Sequence, residues 1–120
     1  MDPSLFSTPS LDHISPEDYL NIYEPDQDSF LFLDALENEY SFLKQLDPTI
    51  IVEIGPGSGI ISTFLTRIVN ESHPTATLAI DINMDACRIT RDTYHQNKNR
   101  LFTVIQSVPI CFNAPFRDFK

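Results

Sequence analysis

One octapeptide restricts this chain more than any other: Val52-Glu53-Ile54-Gly55-Pro56-Gly57-Ser58-Gly59. It joins the β-branched run Ile50-Ile51-Val52-Glu53-Ile54 to a segment in which Ile60, Ile61, Phe64, Leu65, Ile68 and Val69 recur at helical spacing. The run reads as a strand, nearly continuous in hydrophobicity as a strand covered on both faces should be, and the segment reads as an amphipathic helix. All three glycines of the chain stand in the turn between them. Alternate glycines remove Cβ atoms there, so the backbone can approach a ligand closely and the free amides of the helix can face it. A purely structural turn would also favour glycine. This one, however, lies at the carboxyl end of a first strand, where open α/β sheets bind nucleotides.

The remaining segments supply the partners such a strand needs. His73-Pro74 closes the helix, Ala76-Thr77-Leu78-Ala79-Ile80 is a second strand, and Asp81-Ile82-Asn83 is its polar exit. Met84 to about Asn97 is a helix, with Asn83 as N-cap and Ile89 on its buried side, and Leu101 to Gln106 is a third strand. Alternating strands and helices predict right-handed crossovers and a parallel sheet, an α/β fold. Upstream, Phe30, Leu33, Leu36, Tyr40 and Leu43 mark one helix that starts among Asp26, Asp28 and Ser29 and ends at Asp47-Pro48. Residues 1–22 contain Pro3, Pro9 and Pro16 with several serines and read as an irregular arm. Residues 23–120 are left as the α/β domain, and a chain of 120 residues has room for one.

Charge narrows the ligand. Lys and Arg number 8 against 17 Asp and Glu, a formal charge of −9, which argues against a clamp on a nucleic-acid backbone. No apolar run approaches the ~20 residues of a membrane span, and the start Met1-Asp2-Pro3-Ser4 is not a secretory leader. Cys87 and Cys111 form no C-x-x-C pair, and His13, His73 and His95 have no ligand spacing. Neither a disulfide framework nor a metal site is expected, and the compartment reads as reducing and cytoplasmic, with the nucleus also compatible. The dinucleotide fingerprint G-x-G-x-x-G would need glycine at position 60, where Ile60 stands. Glu53 repels a pyrophosphate but suits a cation, and S-adenosyl-L-methionine carries a sulfonium and an ammonium group without any phosphate. The two oxygens of Asp81 suit both ribose hydroxyls. NAD has such a ribose too, so an NAD-dependent oxidoreductase is the weaker alternative.

These residues carry a resemblance. The octapeptide resembles the first motif of class I S-adenosylmethionine-dependent methyltransferases. Tyr23-Glu24-Pro25-Asp26-Gln27-Asp28-Ser29-Phe30-Leu31-Phe32-Leu33-Asp34-Ala35-Leu36-Glu37 is similar to the segment before that motif in the HemK-like glutamine methyltransferases, and Phe6-Ser7-Thr8-Pro9 and Asp81-Ile82-Asn83 also resemble that family. The similarity covers about residue 6 to about residue 105. It implies a Rossmann-like fold, S-adenosyl-L-methionine as cofactor and N5-methylation of a glutamine in a peptide-chain release factor. It also implies a small zinc-binding activator subunit that adds a strand beside Leu101–Gln106. By the same resemblance Tyr23 and Ser29 line the cofactor pocket, and Glu53 and Gly55 contact the methionine end within the loop that Gly57 and Gly59 complete. Asp81 then holds the ribose and Asn83 lies beside the adenine.

Two motifs depart from that pattern. The family's acid after the third strand is replaced by Gln106-Ser107, although the Gln106 amide oxygen could still accept from the adenine amino group. The catalytic signature Asn-Pro-Pro-Tyr corresponds at best to Asn113-Ala114-Pro115-Phe116, after a short fourth strand drawn from Val108, Ile110, Cys111 and Phe112. The family implies seven strands, and no more than four fit here. The expected domain is therefore incomplete, a truncated form. Two functions are compatible with it: a release-factor methyltransferase, or a non-catalytic isoform that binds cofactor or activator without turnover.

Overall fold

A computed structural model describes residues 6–69, 75–97 and 104–109, the last six by their backbone alone. The β-branched segments pair as parallel strands. β1 (Ile50–Ile54) lies beside β2 (Ala76–Asp81), and β2 beside β3 (Val104–Pro109), in the order β1-β2-β3. Ile50 is level with Ala76 and Val104, and Ile54 with Ile80 and Val108. Helices α3 (Ile60–Val69) and α4 (Met84–Gln96) fill the two crossovers. Strands joined through helices in this order form the partial Rossmann-like α/β arrangement expected from the sequence.

Strand register decides which residues meet the helices. Partners level with one another in a parallel pair share a face, so Ile51 and Glu53 lie on the face of Thr77, Ala79 and Asp81. That face is covered: Ile51 packs with Leu33, Ile60, Phe64, Ile68 and Val69, and Thr77 and Ala79 are fully buried. The opposite face is not. Ile50, Val52 and Ile54 are 61%, 55% and 69% exposed. Continuous hydrophobicity correctly marks β1 as a strand, but among the described residues the cover it predicts exists on one side only.

Three further expectations change. The helix read from Asp28 to Asp47 is two helices, α1 (Gln27–Asn38) and α2 (Tyr40–Leu46), separated by Glu39. Glu39 leaves helical geometry at φ −89°, ψ 14°, yet its carbonyl still accepts from Leu43 N–H. The bend brings Leu33 and Leu36 of α1, and Tyr40 and Leu43 of α2, onto one apolar cluster. The apolar repeat runs through the break unchanged, so the sequence alone does not show it. The third strand, read as Leu101–Gln106, runs on past Gln106 to Pro109, because its register follows β2 down to the Asp81–Pro109 pair, and residues 101–103 lie outside the described residues. Val108 therefore belongs to β3 and not to a fourth strand. Ile110, Cys111 and Phe112, with the tail that follows, lie outside the described residues.

Among the described residues the arm, 6–22, is irregular apart from a 3-10 turn at Asp18–Leu20, but it is not loose. Phe6 enters the main core, its ring 5.6 Å from Tyr40 and 6.3 Å, edge-on, from Phe64. Ile14 and Ile22 bury against Ala86 and Ile89 of α4. Asn97, just past α4, accepts from Ser10 N–H at 2.7 Å and donates to Ser10 C=O at 2.8 Å. Arg67 of α3 reaches both Asn97 Oδ1 and the Ser7 carbonyl. Arg88 of α4 pairs with Asp18 at 2.8 Å and holds that carboxyl below its ordinary range. The arm is thus a strap across α3 and α4.

Candidate functional site

The glycine loop takes its shape from backbone that only glycine adopts readily. Gly55, Gly57 and Gly59 have φ of +72°, +56° and +83°. Their surroundings differ. A Cβ on Gly55 or Gly57 would meet nothing within 4 Å, so these two pave an open corner. A Cβ on Gly59 would lie 2.8 Å from the Thr90 backbone, so this glycine is required where the loop presses on α4. The Gly55 N–H donates to Ile80 C=O at 2.8 Å and ties the open corner to the end of β2, one residue before Asp81. The Gly59 N–H is spent within the loop, on Pro56 C=O.

Asp81 and Asn83 flank that corner. Asp81 Oδ1 accepts the Asn83 N–H at 2.9 Å. A carboxylate oxygen has a second lone pair, so the group keeps capacity for ligand hydroxyls. Asn83 does cap α4, its Oδ1 accepting from Asp85 N–H at 2.9 Å, while its Nδ2 donates to Asn21 C=O in the arm. Its side chain is therefore committed at both ends.

Glu53 sits apart from this pair. It lies one register level below Ile54, and its carboxylate accepts the Ser62 hydroxyl of α3. Burial pushes its pKa up, and the Ser62 hydrogen bond opposes the rise in part. The cavity it lines, about 320 Å3, is otherwise apolar, walled by Phe32, Leu36, Ile51, Ile61 and Leu65 with Ser62. Gly55 and Asp81 are not in that wall. Ser29 stands one turn before Phe32 on the same side of α1, and Tyr23, 62% exposed, donates to Asp28 Oδ1 at 3.2 Å. Asp28 Oδ1 also accepts the Ser29 N–H, so one carboxylate gathers both residues at the head of α1. Asp26, not Asp28, caps that helix.

The predicted residues thus form two groups. Gly55, Gly57, Asp81 and Asn83 meet at the carboxyl edge of the sheet, whereas Glu53 faces α3 and the α1 side. Gln106 is level with Leu78, three residues before the end of β3, and not at the strand exit where an adenine contact was expected. Asn113 lies outside the described residues. Sequence reading missed four residues that hold the loop or Glu53. Ser58 is buried and its Oγ accepts the Ile60 N–H; Ser62 holds Glu53; Thr90 and Thr93 donate to the Gly57 and Ser58 carbonyls at 3.1 and 2.6 Å. A signal for the threonines exists: Ala86, Ile89, Thr90 and Thr93 share one helical face, and two hydroxyls on an otherwise apolar face need partners.

An open glycine corner beside an acid at the second strand's exit is the arrangement of a Rossmann-like unit. Comparison with known proteins gives its relatives. The catalytic subunit mtq2 of the eRF1 methyltransferase of Schizosaccharomyces pombe is 32% identical over 112 residues, covering 86% of this chain and 48% of that protein. The human and mouse proteins named methyltransferase HEMK2 are 37% and 35% identical, over 83% and 82% of this chain. No family model matches. Over most of its length the chain is similar to the HemK-like methyltransferases, and it spans about half the length of the curated relatives it matches.

Proposed function

We propose that this chain is the cofactor-binding half of an S-adenosyl-L-methionine-dependent methyltransferase whose acceptor is a glutamine of a peptide-chain release factor. The observation that carries the reading is the corner itself: two positive-φ glycines with open space beside them, hydrogen-bonded to the strand end that delivers Asp81. Asp81 holds the ribose hydroxyls, Asn83 closes the adenine side, and the Gly55–Gly57 backbone admits the ligand without steric contact. Glu53 contributes negative charge one level below, where an arriving cation favours its ionised form against the burial that disfavours it. Tyr23 and Ser29 extend the pocket along α1. When bound, the cofactor supplies a methyl group on a positively charged sulfur, and the protein's work is chiefly to position it.

The names of the relatives favour an enzyme over a non-catalytic product. The acceptor side, including a role for Asn113, belongs to the reading and not to the described residues, as does a zinc-binding activator beside β3. So does a cytoplasmic or nuclear location. Among the described residues no helix is long and apolar enough to cross a membrane. Calorimetric titration with S-adenosylhomocysteine tests the reading. Micromolar binding that weakens at least tenfold in Asp81→Ala is expected, roughly the loss of charge-assisted hydrogen bonds to a ribose. A folded chain that gives no heat at millimolar ligand, or that binds NAD in preference, refutes it.

A further inference from the structure

We propose that His13 of the arm is a positioning residue for the glycine loop, acting through Thr93; the link to cofactor affinity rests on the function proposed above. A hydroxyl has one hydrogen to give. Thr93 spends it on the Ser58 carbonyl at 2.6 Å, in the middle of the loop. The 2.9 Å contact between His13 Nε2 and Thr93 Oγ1 must then run the other way, with Nε2–H donating to the hydroxyl oxygen. Nε2 therefore carries the hydrogen of this contact. Nδ1 is buried without a hydrogen-bond partner.

The chain of donors is therefore His13 N–H to Thr93 O–H to Ser58 C=O, and each bond polarises the next. It connects residues 80 positions apart, then 35, and Thr93 is completely buried. Thr90 adds a parallel clamp on Gly57 C=O, so α4 grips the two carbonyls that shape the open corner. The Asn97 and Arg67 bonds to Ser10 and Ser7 hold the arm in place around His13. A docked arm thus fixes the loop before ligand arrives, and a loop already ordered loses less entropy on binding. Releasing the arm should loosen the loop and weaken the ligand.

The test uses the full chain and two readouts: affinity for S-adenosylhomocysteine by calorimetry, and amide hydrogen exchange across residues 55–60 without ligand. Thr93→Val keeps the shape and removes the hydroxyl; Thr93→Ser restores it. His13→Ala removes the donor, and His13→Gln offers a side-chain N–H in its place. We expect Thr93→Val and His13→Ala to weaken binding roughly three- to tenfold and to accelerate loop exchange. Thr93→Ser and His13→Gln should return both readouts to near wild type. Unchanged exchange in His13→Ala overturns the proposal, as does a Thr93→Ser variant no better than Thr93→Val, which would make position 93 a packing site. Should wild type not bind, the cofactor reading fails by itself, and loop exchange still decides the relay. Should Thr93→Val not fold, the half-buried His13 pair decides it.

Discussion

Gly59→Ala against Gly57→Ala separates what the glycines do. Both place a side chain on left-handed backbone, which costs about 1–2 kcal/mol. At Gly57 (φ +56°) that is the whole cost, because nothing lies within 4 Å of the new methyl. At Gly59 (φ +83°) the methyl would sit 2.8 Å from Thr90 Cα, 3.0 Å from its Cγ2 and 3.2 Å from its Cβ. Overpacking of this kind adds about 1–3 kcal/mol. The expected losses are therefore roughly 2–5 kcal/mol for Gly59→Ala and 1–2 for Gly57→Ala, or about 8–20 °C and 4–8 °C in Tm for a domain of this size. Urea unfolding followed by circular dichroism, with thermal melts alongside, gives both values. Because the nearest obstacle is helix backbone, Thr90→Ser in the Gly59→Ala background should restore little. Ligand affinity should follow the reverse order, Gly57→Ala losing more affinity per unit of stability lost. Equal destabilisation by the two substitutions would refute the assignment of Gly59 to packing.

Other outcomes follow from the same contacts. Asn97→Ala strands the Ser10 amide and carbonyl and removes a partner of Arg67, so it should cost roughly 2–4 kcal/mol and expose residues 6–22 to limited proteolysis. Asn83→Asp keeps the α4 cap but loses the donor to Asn21 C=O, whereas Asn83→Ala loses both. The alanine variant should therefore be less stable by about 0.5–2 kcal/mol, and equal midpoints for the two would contradict the capping role. Glu53 has a folded pKa above its ordinary 4.5 because of burial. Its protonated form is thus favoured by folding: the stabilisation is complete below that value and is lost as pH rises through the raised pKa. Glu53→Gln, whose amide oxygen still accepts from Ser62, should remove that slope in a urea-midpoint series against pH and leave the chain more stable at neutral pH; an unchanged slope assigns it to another group.

Sequence by itself determined the α/β class, the strand–glycine–helix corner and the Asn83 cap, because each depends on local chemistry: β-branched runs, glycine at positive φ, an amide side chain before a helix. It could not show that the apolar repeat from Phe30 to Leu43 bends at Glu39, since periodicity records which face is buried and not whether the axis stays straight. Nor could it set the register of β3, which depends on β2 and moves Gln106 from the strand exit to the middle. Tertiary structure alone divided the site, sending Glu53 to Ser62 and leaving Gly55 and Asp81 at the sheet edge, and it alone showed that Gly59 serves Thr90. It also turned an arm with little pattern into a strap, through Phe6, Ser10, His13 and Ile14. Those contacts join residues tens of positions apart, and no local propensity encodes which distant hydroxyl, amide or ring will be waiting when the chain closes.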